Sequence, residues 1–204
     1  MIAGLILAAG KSSRMGRDKA LLDFRGRTFL ETVIKTLREA GIERIAVVLG
    51  YHAEEIRKAT NLEGVEVVLN PEYQRGQTSS LQGGLRALDS PNLEAVILCL
   101  VDHPAVSATT VRKLTQSFQQ SPTPLVIPTH QGQRGHPVVI SAAIFPELLN
   151  LGPDEGANSV IRKYRAATQS VEVEDACVLL DVDDPETYRR LAGNGSGEGS
   201  AHLV

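Results

Sequence analysis

A chain of 204 residues is long enough to bury a hydrophobic core, and its length fits one domain of ordinary size. The formal net charge of -3 argues against nucleic acid and against an anionic membrane as partners, because both favour a basic surface. Trp is absent and aromatic residues make up only 4% of the chain, which argues against a stacking platform for single-stranded nucleic acid.

The predicted elements alternate along the chain between strands and helices. The predicted strands are residues 2–7, 44–49, 65–69, 95–100, 125–127, 138–140, 171–173 and 177–180, and the predicted helices are residues 28–40, 53–59, 79–88 and 107–119. The early strands are apolar on both faces, as parallel strands covered by helices must be. This alternation predicts an α/β fold, a three-layer α/β/α sandwich with a mostly parallel, Rossmann-like sheet. Past Gly132 the order is less regular, and we expect a mixed or antiparallel part there.

Local signals mark where some elements begin and end. Thr28 and Glu31 have the spacing of a capping box at a helix start, and Gly41 is typical of a residue that follows a helix end. Residues 193–204 begin with glycines that alternate with small or polar residues, which predicts a disordered tail. Residues 1–192 are therefore predicted to form a single domain.

The cysteines and the apolar segments indicate a compartment. Cys99 and Cys177 both lie in apolar runs, which favours buried thiols over a disulfide or a metal site. The apolar start of the chain is short and has no basic residue ahead of it, unlike a signal peptide. No stretch is long enough to cross a membrane, so we expect a cytoplasmic protein.

A cationic loop follows the first predicted strand directly. Four cationic side chains fall within nine residues: Lys11, Arg14, Arg17 and Lys19. Ligands of open parallel sheets bind beyond the carboxyl ends of the strands, and the small residues Ala8, Ala9 and Gly10 would let the backbone approach a phosphate. The P-loop is excluded, because Gly4 lies six residues before Gly10, one more than that motif allows. Composition alone leaves a solvated basic loop as the alternative.

The full spelling of residues 7–19 is Leu-Ala-Ala-Gly-x-Ser-x-Arg-Met-Gly-x-x-Lys. This spelling resembles the signature of the MobA-like NTP transferases, and within them it is most similar to the CTP:molybdopterin cytidylyltransferase branch. The resemblance implies a sheet of the nucleotide-diphospho-sugar transferase type and an enzyme that binds an NTP with Mg²⁺. The nucleotide-binding residues that it implies in this loop are Leu7, Ala8, Ala9, Gly10, Ser12, Arg14, Met15, Gly16 and Lys19. It also implies that Arg14 and Lys19 are catalytic and neutralise the phosphates.

Two further segments match the family near the nucleotide. Asn70 begins a loop after the third predicted strand, and Ser80 lies near the following helix start. The resemblance implies that both border the base and the ribose. From the residues alone, a turn and a helix N-terminus are an equally good interpretation, and free amides there also favour anions.

Carboxylates follow two predicted strands. Asp102 ends an apolar strand, and the resemblance implies that it is catalytic and binds the metal, although Val101 and His103 replace the Gly and Gln that are common in the family. Asp183 is implied as the second metal ligand, since two carboxylates and phosphate oxygens suit Mg²⁺. Asp184 precedes a proline and is predicted to cap a helix. We assign no role to His103.

The acceptor side is implied by two other matches. Residues 134–137 match the family's Arg-Gly-His-Pro segment, so Arg134, Gly135 and His136 are expected near the acceptor, and Asp154 is expected there from a second motif. A lone His before a strand is more often structural than catalytic, and we assign no proton transfer to His136. The remaining histidines carry no readable signal.

The implied reaction transfers CMP from CTP to molybdopterin, a phosphorylated acceptor, and releases pyrophosphate. A terminal phosphate is already anionic near neutral pH, so neither a general base nor a covalent intermediate is needed. The methyl group of Ala9 narrows the space beside the base and favours CTP over GTP. Guanylyl transfer, another acceptor such as a sugar phosphate, and a non-catalytic nucleotide-binding accessory protein for molybdoenzyme maturation stay open. A molybdoenzyme or its chaperone is also left open as a partner.

Overall fold

The computed structural model describes residues 1–12 and 15–193. Within them the strands are β1 (Ile2–Ala8), β2 (Asp23–Phe24), β3 (Arg27–Thr28), β4 (Ile45–Leu49), β5 (Glu66–Leu69), β6 (Ala95–Leu100), β7 (Leu125–His130), β8 (Gln133–Arg134), β9 (Val138–Ser141) and β10 (Thr168–Glu172). The α-helices are α1 (Phe29–Glu39), α2 (Ala53–Ala59), α3 (Gln77–Leu88), α4 (Ala108–Gln120), α5 (Phe145–Leu149), α6 (Asn158–Lys163) and α7 (Pro185–Gly193).

The main sheet has the strand order β10-β7-β9-β6-β1-β4-β5, with β8 beside β7. Strand β1 is central and runs parallel to β4 and β6, and β5 and β10 pair in parallel with β4 and β7. Strand β9 runs antiparallel to both β6 and β7. The predicted α/β fold with a mostly parallel sheet is confirmed, and so is the mixed part past Gly132.

Helices cover both faces of this sheet. Leu5 and Leu7 of β1 join a buried cluster with α3, α5 and α6, whereas Ile2 and Ile6 join a second cluster with α1, α2 and α4. Successive side chains of a strand point to opposite faces, so a strand between two helical layers must be apolar throughout. All seven residues of β1 are buried for this reason.

Helix α3 approaches the sheet closely at a glycine. A Cβ atom at Gly84 would overlap the Cδ1 atom of Leu5 and lie 3.0 Å from the Cγ2 atom of Val48. The helix can therefore lie against β1 and β4 only where this side chain is missing. The neighbouring Gly83 has room, since the nearest atom to a Cβ there would be Val68 Cγ1 at 3.9 Å.

The predicted helix signals are present. Thr28 Oγ1 accepts a hydrogen bond from the Glu31 amide at 3.1 Å, and Glu31 Oε2 accepts one from the Thr28 amide at 2.9 Å. Gly41 follows α1 with a φ of 87°, a conformation that favours glycine. Asp184 Oδ1 accepts hydrogen bonds from the amides of Glu186 and Thr187, each at 2.9 Å, and so caps α7. These predictions are confirmed.

The predicted strand at residues 177–180 is wrong. Residues Ala176–Leu179 form a 3₁₀ helix, whose start is capped by the Asp175 side chain at 3.1 Å from the Cys177 amide. Within residues 177–180 only Val178 is fully buried. A strand inside the sheet would have buried side chains on both faces, so this run does not fit one. Cys99 is buried, as predicted, and burial raises the pKa of its thiol to about 12, but Cys177 is only half-buried. Neither thiol forms a disulfide.

The predicted boundary of the tail is early, because Gly193 still belongs to α7. Backbone hydrogen bonds set a helix end, whereas composition gives only its neighbourhood. Residues 194–204 lie outside the described residues, so the disordered tail and the single domain stay predictions. Within the described part of the chain, every helix is too short or too polar to cross a membrane.

Candidate active site

A crevice opens at the carboxyl ends of β1 and β6. Parallel strands end at the same edge of a sheet, so the loops that follow them face one another there. The crevice has a volume of about 290 Å³. Eight of the predicted site residues line it: Leu7, Ala8, Ala9, Gly10, Ser12, Lys19, Ser80 and Asp102.

At this edge of the sheet Lys19 joins two distant carboxylates. Its Nζ atom donates to Asp102 Oδ2 at 3.0 Å and also to Asp183 Oδ1. The Lys19 side chain is 13% exposed, against 22% for Asp102 and 46% for Asp183. Burial by itself lowers the pKa of Lys19, but the hydrogen bonds and charges of Asp183 and Asp102 outweigh this effect and hold the pKa above its usual value. The ammonium group is therefore charged at neutral pH.

Local structure explains how these three groups meet. Lys19 begins a 3₁₀ helix (Lys19–Leu21), and its amide donates to Ser12 Oγ at 3.0 Å. Asp102 follows β6. The Val182 amide donates to the Asp102 carbonyl at 2.9 Å, and the Val182 side chain is fully buried. This backbone contact anchors the segment that carries Asp183 beside the end of β6.

The two carboxylates fit a divalent cation. Asp102 Oδ1 is buried and has no hydrogen-bond partner within the part of the chain that the structure describes. Buried polar atoms are almost always paired, so this carboxylate oxygen is expected to have a partner. A metal ion could be that partner. No group of three or more His, Cys, Asp or Glu residues that could hold a metal occurs among residues 1–12 and 15–193. A cation here would therefore take two protein carboxylates and complete its shell with phosphate oxygens and water, as Mg²⁺ commonly does.

Asn70 lies behind the crevice. It is 8% exposed, and its Nδ2 atom donates to the hydroxyl oxygens of Ser79 and Ser80, each at 2.9 Å. Its Oδ1 atom accepts from the Glu72 amide at 3.0 Å. Ser80 does line the crevice, so Asn70 orients a lining residue and closes the turn before it.

The remaining predicted residues of the cationic loop have a less direct relation to the crevice. Ser12 has a φ of 49°, and Gly16 has a φ of 64°. Met15 packs partly against the core formed by α1 and its neighbours. Neither Met15 nor Gly16 is among the residues that line the crevice. The predicted catalytic residue Arg14 lies outside the described residues.

On the predicted acceptor side, Gly135 and His136 pack against Val178 and His103. The His136 ring lies 5.3 Å from the ring of His103, centroid to centroid. The Gly135 backbone lies against Val178, where any Cβ would overlap the Val178 carbonyl, and the His136 amide donates to that carbonyl at 2.9 Å. Burial lowers the pKa of His136 to about 4, with a further contribution from His103, and burial also lowers the pKa of His103. Both rings are therefore neutral near pH 7.

The other two predicted acceptor residues, like Gly135 and His136, are not among the residues that line the crevice. Arg134 is exposed on β8, and Asp154 is exposed in the loop before α6. That loop is tied to the start of α3, because the Ala157 amide donates to Thr78 Oγ1 at 3.1 Å. Neither Arg134 nor Asp154 is among the residues that line the crevice.

Sequence reasoning missed several residues of the crevice. Asp18 and Tyr73 line it, and His52 contacts Asp18 through Nδ1 and Oδ2 at 3.0 Å. Gly76 and Gln77 also line it, and they belong to the stretch before Ser80 that the resemblance places beside the base and the ribose. Strand β4 lies next to β1, so residues that follow it share the same edge of the sheet. The sequence signal that could have placed His52 near the crevice is its position just after β4.

A crevice at the carboxyl ends of parallel strands is where open α/β proteins bind their ligands, and here a lysine held between two carboxylates lies at that place. The family model of the MobA-like NTP transferase domain matches residues 4–173, and the chain belongs to this family. The protein is therefore an enzyme, a nucleotidyltransferase of the MobA-like family, and the predicted family is confirmed.

Relatives cover almost the whole chain. Nicotine blue oxidoreductase of Paenarthrobacter nicotinovorans is 32% identical and spans 93% of this chain and 96% of its own length. Molybdenum cofactor cytidylyltransferase of Escherichia coli (strain K12) is 26% identical and spans 90% of this chain and 92% of its own length.

A solved structure shares the fold and bears on the metal. Rv0371c of Mycobacterium tuberculosis H37Rv superposes with a TM-score of 0.84 at 34% identity, over 94% of this chain and 97% of its own. The same protein has been solved in complex with manganese, with a TM-score of 0.78 at 31% identity, over 94% of this chain and 98% of its own. Family members bind nucleoside triphosphates and a phosphorylated acceptor and generally use a divalent metal.

Proposed function

We propose that this nucleotidyltransferase transfers CMP from CTP to molybdopterin and releases pyrophosphate, with Mg²⁺ as the metal. The observation that carries the proposal is the position of the Lys19 ammonium group, on the crevice and between Asp102 and Asp183. The choice of molybdopterin is supported by the name of the relative from Escherichia coli.

Lys19 suits this reaction because two polyanions must approach each other. The new bond forms between an oxygen of the acceptor phosphate and the α-phosphorus of CTP, while the bond from that phosphorus to the oxygen bridging to the β-phosphate breaks, and pyrophosphate leaves with the electron pair. A charged ammonium group within a half-buried crevice stabilises the charge that develops on the leaving oxygens. In the free protein the same charge is balanced by the two carboxylates, so binding of a triphosphate exchanges one set of anionic partners for another.

Asp102 and Asp183 would hold Mg²⁺. When bound, the ion would supply Lewis-acid stabilisation of the negative charge on the phosphates. The buried, unpartnered Asp102 Oδ1 and the more exposed Asp183 supply oxygen ligands of the kind that Mg²⁺ prefers. Release of Lys19 from these carboxylates would accompany loading of the metal and the nucleotide.

The preference for CTP rests on the close packing around Ala9, which lines the crevice. The loop after β4 approaches the loop after β1 so closely that a Cβ at Gly50 would lie 2.6 Å from the Ala9 carbonyl oxygen and 2.9 Å from the Ala9 methyl carbon. Tyr73 packs at the same place, since that Cβ would lie 2.7 Å from its Cβ atom. This packing holds the Ala9 methyl group in place, and the limited space beside it favours the smaller pyrimidine base over a purine.

One relative is named an oxidoreductase, so family membership by itself does not identify the substrates. The lysine held between two carboxylates favours phosphate chemistry, because the three groups together can bind a triphosphate and a divalent cation. A redox reaction at this crevice would not require a lysine held between two carboxylates.

The test is release of pyrophosphate by the purified protein with Mg²⁺ and each of the four NTPs, without an acceptor, with molybdopterin and with a sugar phosphate. Release with CTP only when molybdopterin is present supports the proposal. Release with GTP instead identifies a guanylyltransferase, and release that requires a sugar phosphate identifies another acceptor. Binding of an NTP with no release under any of these conditions identifies a non-catalytic accessory protein and overturns the proposal.

A further inference from the structure

A buried carboxylate lies on the wall of the phosphate crevice. Asp18 is 7% exposed and lines the crevice beside Lys19. Its Oδ1 atom accepts a hydrogen bond from the Ala20 amide at 2.9 Å, and its Oδ2 atom lies 3.0 Å from His52 Nδ1. An ionised carboxylate only accepts hydrogen bonds, so His52 donates its Nδ1–H to Asp18.

Asp18 controls the turn that carries Lys19. It is the N-cap of the 3₁₀ helix Lys19–Leu21, and its carbonyl also accepts from the Leu21 amide at 3.0 Å. Lys19 is the first residue of that turn, so the direction of its side chain depends on where the cap holds the backbone. The Ser12 hydroxyl, which accepts from the Lys19 amide, supports the turn from the other side.

His52 is a rigid anchor for this cap. It is the N-cap residue of α2, yet its side chain makes no capping hydrogen bond to that helix and contacts Asp18 instead. Its carbonyl accepts from the amide of Ile56 at 2.9 Å, and Ile56 is fully buried. The contact therefore ties the loop after β1 to the start of a packed helix.

The pairing also resolves an electrostatic conflict. A lone carboxylate on the wall of a crevice that must accept a triphosphate would repel it, and a buried carboxylate without partners is costly. The hydrogen bonds from His52 and from the Ala20 amide occupy both oxygens of Asp18. These two hydrogen bonds partly offset the charge of Asp18 and so weaken its repulsion of a phosphate.

We propose that Asp18 and His52 form a positioning pair that holds the Lys19 turn in register with Asp102 and Asp183. The inference rests on the proposed function and adds two residues to it that act through Lys19 rather than on the reacting atoms. Misplacement of a catalytic group by about 1 Å can cost about 10²-fold in rate. Loss of the His52 contact is therefore expected to lower kcat and to leave the KM for the acceptor nearly unchanged.

The test compares three substitutions of His52. His52→Ala removes the donor, His52→Asn keeps an N–H near the position of Nδ1, and His52→Gln carries its amide about one bond further out. We expect kcat to fall about 10- to 100-fold in His52→Ala and His52→Gln and to return to within about threefold of the parent in His52→Asn, with the KM for molybdopterin within about twofold throughout. His130→Ala is the matched control, because His130 is a half-buried histidine that contacts the Val173 carbonyl at 2.9 Å and does not line the crevice.

The outcomes separate this inference from the proposed function. A His52→Ala protein with the parent kcat, or a folded His52→Asn protein no better than His52→Ala, overturns the positioning pair and leaves the proposed function standing. Should His52→Ala fail to fold, the comparison of His52→Gln with His52→Asn carries the same decision.

If the parent protein releases no pyrophosphate with any NTP, the proposed function fails, and the pair is tested by binding of inorganic tripolyphosphate in the presence of Mg²⁺. Calorimetry is expected to show about tenfold weaker binding for His52→Ala and recovery for His52→Asn. Equal affinities, or no binding of tripolyphosphate by the parent protein, overturn the inference.

Discussion

The ammonium group of Lys19 lies 3.0 Å from Asp102 Oδ2, where the turn after the first loop meets the end of β6. Asp183 shares the same ammonium group, from a segment whose backbone is bonded to Asp102. A cation held between two carboxylates at the mouth of a crevice is ready to exchange partners when a polyanion and a divalent metal enter together. This exchange is the physical basis of the predictions below that concern Lys19 and Asp102.

Lys19→Ala is expected to lower kcat for pyrophosphate release about 10²- to 10³-fold, because it removes the group that neutralises the leaving phosphates. The measurement is steady-state release with CTP, Mg²⁺ and molybdopterin, with circular dichroism as the check that the fold is intact. Lys35→Ala serves as the control, since Lys35 is half-exposed on α1 and forms an ion pair with Glu39 at 3.3 Å, away from the crevice. A Lys19→Ala enzyme with a near-normal rate would mean that the site is misplaced.

Asp102→Asn is expected to raise the Mg²⁺ concentration needed for half-maximal activity and to lower the maximal rate by at least about 10²-fold. The neutral amide is a weaker ligand for a hard cation than a carboxylate. Titration of activity with Mg²⁺ and with Mn²⁺ measures both effects. Asp89→Asn, at the exposed end of α3, should leave both titrations unchanged. An unchanged Mg²⁺ requirement in Asp102→Asn would rule out this carboxylate as a ligand.

Without nucleotide, Lys19→Ala should bind Mn²⁺ more tightly than the parent protein does. The ammonium group competes with a metal ion for the same two carboxylates, so its removal takes away a positive charge that opposes the metal. Calorimetric titration with Mn²⁺ provides the affinities. Weaker binding in Lys19→Ala would show that the lysine and the metal do not compete.

Two adjacent glycines of α3 should respond to alanine in opposite ways. Gly84→Ala would force its Cβ into Leu5 and is expected to cost about 1–3 kcal/mol of unfolding free energy. Gly83→Ala has room beside Val68 and is expected to stabilise the helix by about 0.5–1 kcal/mol. Urea denaturation of both variants measures the difference. If both changes had the same sign, the close approach of α3 to β1 would be wrong.

Stability should fall as the pH drops below neutral, partly through His136. Burial lowers the pKa of His136 from 6.5 to about 4, so the unfolded chain takes up a proton that the folded protein resists. This contribution is fully present above about pH 6.5 and is lost as the pH falls toward 4. At about pH 5 the loss comes to about 2 kcal/mol.

The measurement is the unfolding free energy by urea at about pH 7.5 and about pH 5, for the parent protein and for His136→Gln. The glutamine does not titrate, so the difference between the two pH values should shrink in the variant. The same difference in both proteins would contradict a buried, neutral His136.

Much of the fold was legible in the sequence because local patterns determine it. The two-sided apolar runs of β1, β4 and β6 require cover on both faces, and the spacing of Thr28 and Glu31 specifies a helix start through contacts four residues apart at most. Short helices such as α5 and α6 carry too few residues for a readable period. The apolar run at 177–180 misled the prediction, because the Asp175 cap and burial of Val178 alone favour a 3₁₀ turn.

The sequence by itself determined the main strands and the longer helices, the parallel sheet and, through its first loop, the family. Only the tertiary structure decided which distant side chains meet: Lys19 with Asp183, 164 residues away, and Asp18 with His52, 34 residues away. It also decided that Asn70 donates a hydrogen bond to Ser80 and does not itself line the crevice. The physical reason is that local periodicity and capping depend on near neighbours, whereas these contacts depend on the order of strands in the sheet, which brings the ends of β1, β4 and β6 together.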